Sequence, residues 1–285
     1  MKRLLRFLAA IAAAFVLIIV CLMWKYTDNT SLQITSYTVS NEKIPDEFSG
    51  FRIAQVADLH NAEFGENNSD LVALLRESEP DIIVFTGDQI DARKNKPEVL
   101  TELIKQTVQI APCYLVSGNH EGSMPRNIQL ETELKSYGLI ILDDEVRQLE
   151  RNGAVMNLIG LEDPTRNKRY YSHGAKEALE MSLQELKWDE THYSILLAHQ
   201  PNYFYVYERN GIDLAICGHV HGGQIRINGR GLIGPGKELF PKYDCGVYRL
   251  DEATMVLSRG LGNSIFPWRV NNPPEVVIVE LASVP

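Results

Sequence analysis

The sequence predicts an α/β domain preceded by one separate apolar helix. Short apolar runs of strand length alternate with amphipathic stretches of helical period over much of the chain. Several of those runs end on a compact motif of Asp, His, Asn and Gly. One uncharged stretch of 18 residues, Phe7 to Trp24, stands apart near the N-terminus.

That stretch comes first in the chain. As a helix it would be about 27 Å long, close to the hydrocarbon thickness of a bilayer. Lys2, Arg3 and Arg6 precede it, and Lys25 and Asp28 follow. The positive-inside rule then places the N-terminus in the cytoplasm and the main domain outside it. A cleaved signal peptide would end on small residues. Here the run ends Val20-Cys21-Leu22-Met23-Trp24, and Ile19 and Val20 also argue against a lipoprotein site at Cys21. Residues 1–24 therefore read as a transmembrane signal-anchor, 25–49 as a tether and leading strand, and 50–285 as the main domain.

Within that domain Phe51 to Ala57 reads as a strand ending at Asp58-Leu59-His60. Ser69 starts a helix carrying Leu71, Val72, Leu74 and Leu75. Asp81 to Thr86 is a second strand, ending at Gly87-Asp88. Pro97 opens a helix with Val99, Leu100, Leu103 and Ile104 on one face. Cys113 to Val116 is a third strand, ending at Gly118-Asn119-His120-Glu121. A helix over 126–137, strands at 139–142 and 154–160, and a helix over 174–187 come next. Ser194 to Ala198 ends at His199, and Ile212 to Cys217 ends at Gly218-His219-Val220-His221. Residues 223–282 alternate β-branched and turn residues and read as mainly β. Because ligands bind beyond the carboxyl ends of strands in open α/β sheets, these motifs converge.

Composition narrows the function. Hydrophobic residues are 45% of the chain and charged residues 23%, as in ordinary folded domains. A net charge of −9 speaks against a general nucleic-acid binder. It leaves phosphate substrates open, since metal ions can supply local positive charge. The four cysteines form neither a zinc-knuckle spacing nor a disulfide framework, and Cys113 and Cys217 read as buried hydrophobes.

Singly the motifs are weak; chance alone gives roughly 0.3 Asp-x-His patterns in such a composition. Together they are strong. Five of seven histidines, His60, His120, His199, His219 and His221, sit at strand ends beside Asp, Asn or Gly. If strand geometry persists, Asp58 with His60, and His219 with His221, each point to one face. Carboxylate, amide oxygen and imidazole suit Mn²⁺, Fe or Zn²⁺ better than Ca²⁺.

With these motifs the sequence resembles the calcineurin-like metallophosphoesterases, over about residues 50–282. Asp58-Leu59-His60, Gly87-Asp88-Gln89-Ile90-Asp91, Gly118-Asn119-His120-Glu121, Ala198-His199 and Gly218-His219-Val220-His221 occur in the family's order. The runs 218–225, 257–264 and 274–281 resemble its bacterial membrane-associated, phosphodiesterase-like branch. The resemblance implies a layered α-β-β-α sandwich and two divalent ions, Mn²⁺ ahead of Fe or Zn²⁺. It assigns Asp58, His60 and His221 to one metal and Asn119, His199 and His219 to the other, with Asp88 between them. It places His120 beside the substrate phosphate, Asp91 as its orienting partner and Glu121 behind the ligands. The implied reaction is in-line hydrolysis of a phosphodiester, phosphomonoester or pyrophosphate by a hydroxide held between two metals. Gln224 and Arg259 are candidate substrate contacts, an ordinary ion pair being an equal reading of Arg259. A lipid-linked or cell-envelope phosphoester is the expected partner. The alternatives are a scaffold of the same fold that has lost catalysis, disfavoured by the complete ligand set, and a membrane-anchored nuclease, disfavoured by the acidic balance.

Overall fold

The computed structural model describes residues 2–26, 29–167, 170–264 and 266–284. The chain opens on helix α1 (Lys2–Tyr26) and continues into strand β1 (Gln33–Asn41). Strand and helix then alternate: β2 (Arg52–Val56), α2 (Ser69–Glu77), β3 (Ile82–Thr86), α3 (Pro97–Thr107), β4 (Cys113–Val116), the single turn α4 (Asn119–Gly122), α5 (Ile128–Ser136) and β5 (Ile140–Ile141). The second half runs β6 (Glu145–Arg151), β7 (Ala154–Gly160), α6 (Tyr170–His173), α7 (Ala175–Glu185), β8 (Ser194–Leu197), α8 (Phe204–Arg209) and β9 (Leu214–Cys217). Beyond it are β10 (Arg226–Ile227), β11 (Arg230–Gly231), β12 (Gly246–Leu250), β13 (Ala253–Leu257) and β14 (Glu275–Ser283).

Two sheets form. One has the order β1-β14-β2-β3-β4-β5, the other β12-β13-β9-β8-β7-β6. Each has a parallel centre, β2 to β5 in the first and β13-β9-β8-β7 in the second. The leading strand β1 pairs in parallel with β14, so it belongs to the first sheet.

The period-two pattern of the strands decides the layers. Ile53, Ile82, Val84 and Val116 meet Leu158, Ile195, Leu197, Leu214 and Ile216 in a core between the sheets. The alternate residues Ala54, Val56, Ile83 and Phe85 pack outward on α2 and α3 through Leu71, Leu75, Leu103 and Ile104. On the far side Leu196, Ala215, Cys217 and Met255 pack on Leu179 and Leu183 of α7 and Phe204 and Tyr207 of α8. The result is the α-β-β-α sandwich the resemblance implies. Both faces of every central strand are covered, which is why those strands read as continuous apolar runs. A pair of polar side chains, Gln55 and Thr86, interrupts the inner core. Gln55 donates to Thr86 Oγ1 and to the Cys217 carbonyl, both at 2.8 Å. It ties the site-bearing ends of the two sheets together.

Two elements are not legible in the sequence. β6 is mostly charged and buries only Leu149, because an edge strand needs little burial and its charges discourage further pairing. α8 is a short turn of Phe204–Arg209 between two site motifs. The expected membrane span lies within α1, but the side chains at 4, 5, 9, 10, 13 and 20–26 fall outside the described residues, as do residues 27 and 28 of the tether. Among the described residues no helix is long and apolar enough to cross a membrane.

Candidate metal centre

The motifs follow strands β2, β3, β4, β8 and β9, and their side chains meet at one edge of the sandwich. The strands end before the ligands begin, β2 at Val56 and β9 at Cys217. Asp58, His60, Asp88, His219 and His221 all have positive φ, between 47° and 79°. This corrects the expectation that alternation along a strand aims the pairs. Left-handed turns aim them instead, a conformation non-glycine residues adopt only where surrounding contacts hold them. Those contacts are present. The His219 amide donates to both Asp58 oxygens, at 3.0 and 2.9 Å. Glycines make room: a Cβ on Gly87 would lie 2.5 Å from His199 Nδ1, and one on Gly218 2.7 Å from Asp58 Oδ2.

Two groups result. Asp58, His60 and His221 bring one donor atom each within 4.8 Å of one another, and so do Asp88, His199 and His219. His219 and His221 thus part company, one to each group, although only one residue separates them. Asn119 joins the second group, its Oδ1 3.1 Å from His199 Nε2. Asp88 Oδ2 lies 3.5 Å from His60 Nε2 and 3.3 Å from His199 Nε2, so one carboxylate touches both groups. His60, Asp91 and His120 form a third, overlapping cluster.

The donor chemistry fits divalent cations. His199 Nδ1 lies 2.9 Å from the Thr86 carbonyl, and a proton there leaves Nε2 as a lone pair. That lone pair meets Asn119 Oδ1, Asp88 Oδ2 and His219 Nδ1 (3.1 Å), a convergence of donor atoms that a cation would satisfy. His60 Nε2 and His221 Nε2 face each other at 3.2 Å in the other group. Burial lowers the pKa of His60 to about 4 and that of His219 to about 3, which keeps both neutral and able to bind metal. Burial also works against a charged His199, but the Asp88 carboxylate beside it drives its pKa well above the ordinary value. Asp88 itself is held well below the carboxylate range; burial opposes this and His199 overcomes it. Asp58 is pushed up to about 7, first by burial. The pocket is thus buried and in want of positive charge.

The surrounding residues fix the ligand loops. Glu121 accepts the amides of Asp88, Gly118 and Ile90, each at 2.9 Å. One half-buried carboxylate so holds two motifs. Two arginines missed by the sequence reading do similar work. Arg269 is fully buried, and its guanidinium donates to the Gly262 and Arg259 carbonyls. The Gly262 carbonyl also faces His221 Nδ1 at 3.3 Å. Arg93 donates from Nε to Asp91 Oδ1 and from Nη2 to Asp91 Oδ2, both at 2.8 Å, and reaches the Ser264 carbonyl at 3.0 Å. Burial opposes ionisation of Asp91, and the Arg93 hydrogen bonds more than offset that, holding its pKa below the usual range. Arg93 stands two residues beyond Asp91, and that short spacing is the signal that could have found it.

His120 and Asp91 differ in detail from expectation. Asp91 Oδ1 is 3.5 Å from His120 Nδ1, while the Ala92 amide donates to that nitrogen at 3.1 Å. An accepting Nδ1 leaves the ring proton on Nε2. Arg259 is a second correction. It does not line the cleft; its Nη2 is 2.5 Å from Glu275 Oε2, because Glu275 is buried and needs a cation. Gln224 is buried at the cleft wall with both amide atoms lacking protein partners, as a residue kept for a ligand would be. The cleft above the groups has a volume of about 1080 Å³ and is lined by Asp88, Asn119, His120, His219, His221 and Gln224 among others.

The model of the calcineurin-like phosphoesterase family matches residues 51–223, which contain every ligand named above. The chain belongs to that family. Phosphodiesterase YaeI of Escherichia coli is 29% identical over 246 residues, covering 83% of this chain and 84% of its own length. The uncharacterized metallophosphoesterase YkuE of Bacillus subtilis is 27% identical over 268 residues, 91% of this chain and 88% of its own. Among solved structures, a dimetal phosphatase from Danio rerio aligns with a TM-score of 0.46 at 12% identity, over 75% of this chain and 88% of that one. As a calcineurin-like phosphoesterase the protein is a phosphoric ester hydrolase, and its metal-ligating groups are those of a metal-dependent one.

Proposed function

We propose that the protein hydrolyses phosphodiesters with two divalent ions, Mn²⁺ ahead of Fe or Zn²⁺, while anchored to a membrane through α1. One observation carries the catalytic reading: seven donors gather in two groups that share Asp88 at the floor of an open cleft. Asp58, His60 and His221 would hold one ion, Asn119, His199 and His219 the other, and Asp88 both. Two such ions supply charge neutralisation for the phosphate and a water acidic enough to react.

The chain's own groups do the rest. His120 lines the cleft with its Nε2 proton unspent and is placed to give it to the leaving oxygen. Gln224 offers an amide to a phosphoryl or sugar oxygen. Arg93 and Asp91 fix the loop bearing Ala92, and through its amide the ring of His120. A diester is favoured over a monoester because the cleft exceeds what a phosphate needs, and the similar protein from Escherichia coli is named a phosphodiesterase. Monoesters and pyrophosphates belong in the same assay. Purified full-length chain, stripped with a chelator, is assayed on aryl phosphodiesters and monoesters with each metal added back. No metal-dependent turnover on any of them would sink the enzymatic reading.

The membrane reading rests on α1. Ile11, Phe15, Val16, Leu17 and Ile18 are all more than half exposed, a surface that water disfavours and lipid does not. Lys2, Arg3 and Arg6 support an N-terminus in the cytoplasm and a catalytic domain outside, by the positive-inside rule. An envelope or lipid-linked phosphoester would be concentrated near such a tether. A reporter fused after residue 285 should read as extracytoplasmic, and a cytoplasmic signal would reverse the orientation.

A further inference from the structure

The mouth of the cleft is built unlike its floor. Residues 232–242, after β11, and residues 263, 264 and 266–268, after β13, frame it, with Leu239 and Phe266 on its lining. Phe240 and Trp268 flank these two without lining the cleft. Leu239 is 68% exposed, Trp268 49%, Phe240 47% and Phe266 38%. Large apolar groups clustered on two short loops around one opening mark an interaction surface, not scattered exposure.

Two further observations say what covers it. The exposed charges between residues 227 and 242 are Arg230, Lys237 and Lys242 against Glu238, a net of +2 in a chain of net −9. The Arg230 guanidinium lies 5.6 Å from the centre of the Phe240 ring. The second is a tie to the N-terminal helix. Asn29, three residues past the end of α1, donates from Nδ2 to the Pro267 carbonyl and accepts the Arg269 amide at Oδ1, both at 2.9 Å. The chain therefore leaves α1 within a few residues of Phe266 and Trp268. Strand β10, ahead of the first loop, is tied to the residue stretch just past the second, since the Arg226 amide donates to the Val270 carbonyl at 2.9 Å.

We propose that this rim seats on a bilayer and that the substrate is an amphiphilic phosphoester. Its phosphate lies at the metal floor, and its apolar chain leaves the cleft between Leu239 and Phe266 into the lipid. Trp268 and Phe240 sit at the headgroup level, where aromatic rings are favoured, and the basic residues meet anionic headgroups. This deepens the membrane reading above and rests on it.

The test uses full-length protein in phosphatidylethanolamine–phosphatidylglycerol vesicles. Replacing Trp24 and Trp188 with Phe leaves Trp268 as the sole tryptophan. Its emission should shift to the blue and be quenched by lipids brominated on their acyl chains. If the protein floats with the vesicles and Trp268 is not quenched, the rim proposal fails and the anchor reading stands. If the protein does not float, both fail. A second measurement compares hexadecyl 4-nitrophenyl phosphate with the methyl ester. In both, water's oxygen replaces 4-nitrophenolate on phosphorus, and only the chain differs. The combined Phe240→Ser and Trp268→Ser variant should lower kcat/KM for the hexadecyl ester by about tenfold and spare the methyl ester. Equal kcat/KM for the two esters in the parent protein, or an equal loss on both in the variant, would overturn the proposal.

Discussion

The floor and the rim of the cleft are made of different material. The floor is buried, its ligands held in left-handed turns by carboxylates, amides and a buried arginine. The rim is exposed, apolar and basic, and it hangs on two-residue strands and loops. The floor is what one reaction mechanism requires of any member of the family. The rim is free of that requirement, so it is where a substrate preference can be written without disturbing the metals.

Breaking the floor should cost far more than breaking the rim. The largest effect is expected for Asp88→Asn. Both groups lose their shared carboxylate, so metal content by mass spectrometry should drop at both positions and turnover fall to baseline. Next is His120→Ala, which should keep its metals and lower kcat by about 10²–10⁴-fold on an aryl diester. A variant that stayed fully active would remove His120 from the mechanism. Glu121→Ala releases the amides of Asp88, Gly118 and Ile90, and should weaken metal affinity by about 10–100-fold in a chelator titration.

A smaller effect comes from the acids that brace the floor. Asp143 accepts the Ser117 amide at 2.7 Å, just ahead of Asn119. Burial raises its pKa to about 6, and burial with Asp143 nearby raises Glu162 to about 7. Both values lie above those of the unfolded chain, so the folded state binds these protons more tightly. Their contribution is full below the unfolded values and is lost as pH rises through about 6 to 7. Tm should therefore fall as pH rises from about 4 to about 7 and level off above, and Asp143→Asn should flatten that slope in a thermal melt. The smallest effect belongs to the rim. Phe240→Ser alone should change turnover of a small soluble diester by no more than about twofold, as exposed substitutions generally do. A larger loss would mean that rim and floor are coupled.

Most of the fold was legible because its signals are local. Cys113–Val116 and Ala154–Gly160 are strands at the expected residues, since an uninterrupted apolar run of that length has one good use in an α/β domain. Edge strand β6 was hidden by its charges. The ligand residues were legible too, because a fold has little use for so many His and Asp at its strand ends except to hold metal. Their geometry was not. Gln55 joining the sheets, Arg269 beneath Gly262 and Ala92 on the His120 ring involve partners distant in sequence or unremarkable in type.

The sequence by itself determined the layered fold class, the family and the set of metal donors, because apolar period and residue chemistry are carried locally. The left-handed turns that aim Asp58, His60, His219 and His221, Ala92's amide on His120 Nδ1, and the apolar rim beside the start of the domain were decided only by tertiary structure. Each depends on where loops from two packed sheets come to lie, and on left-handed turns that those contacts alone can hold.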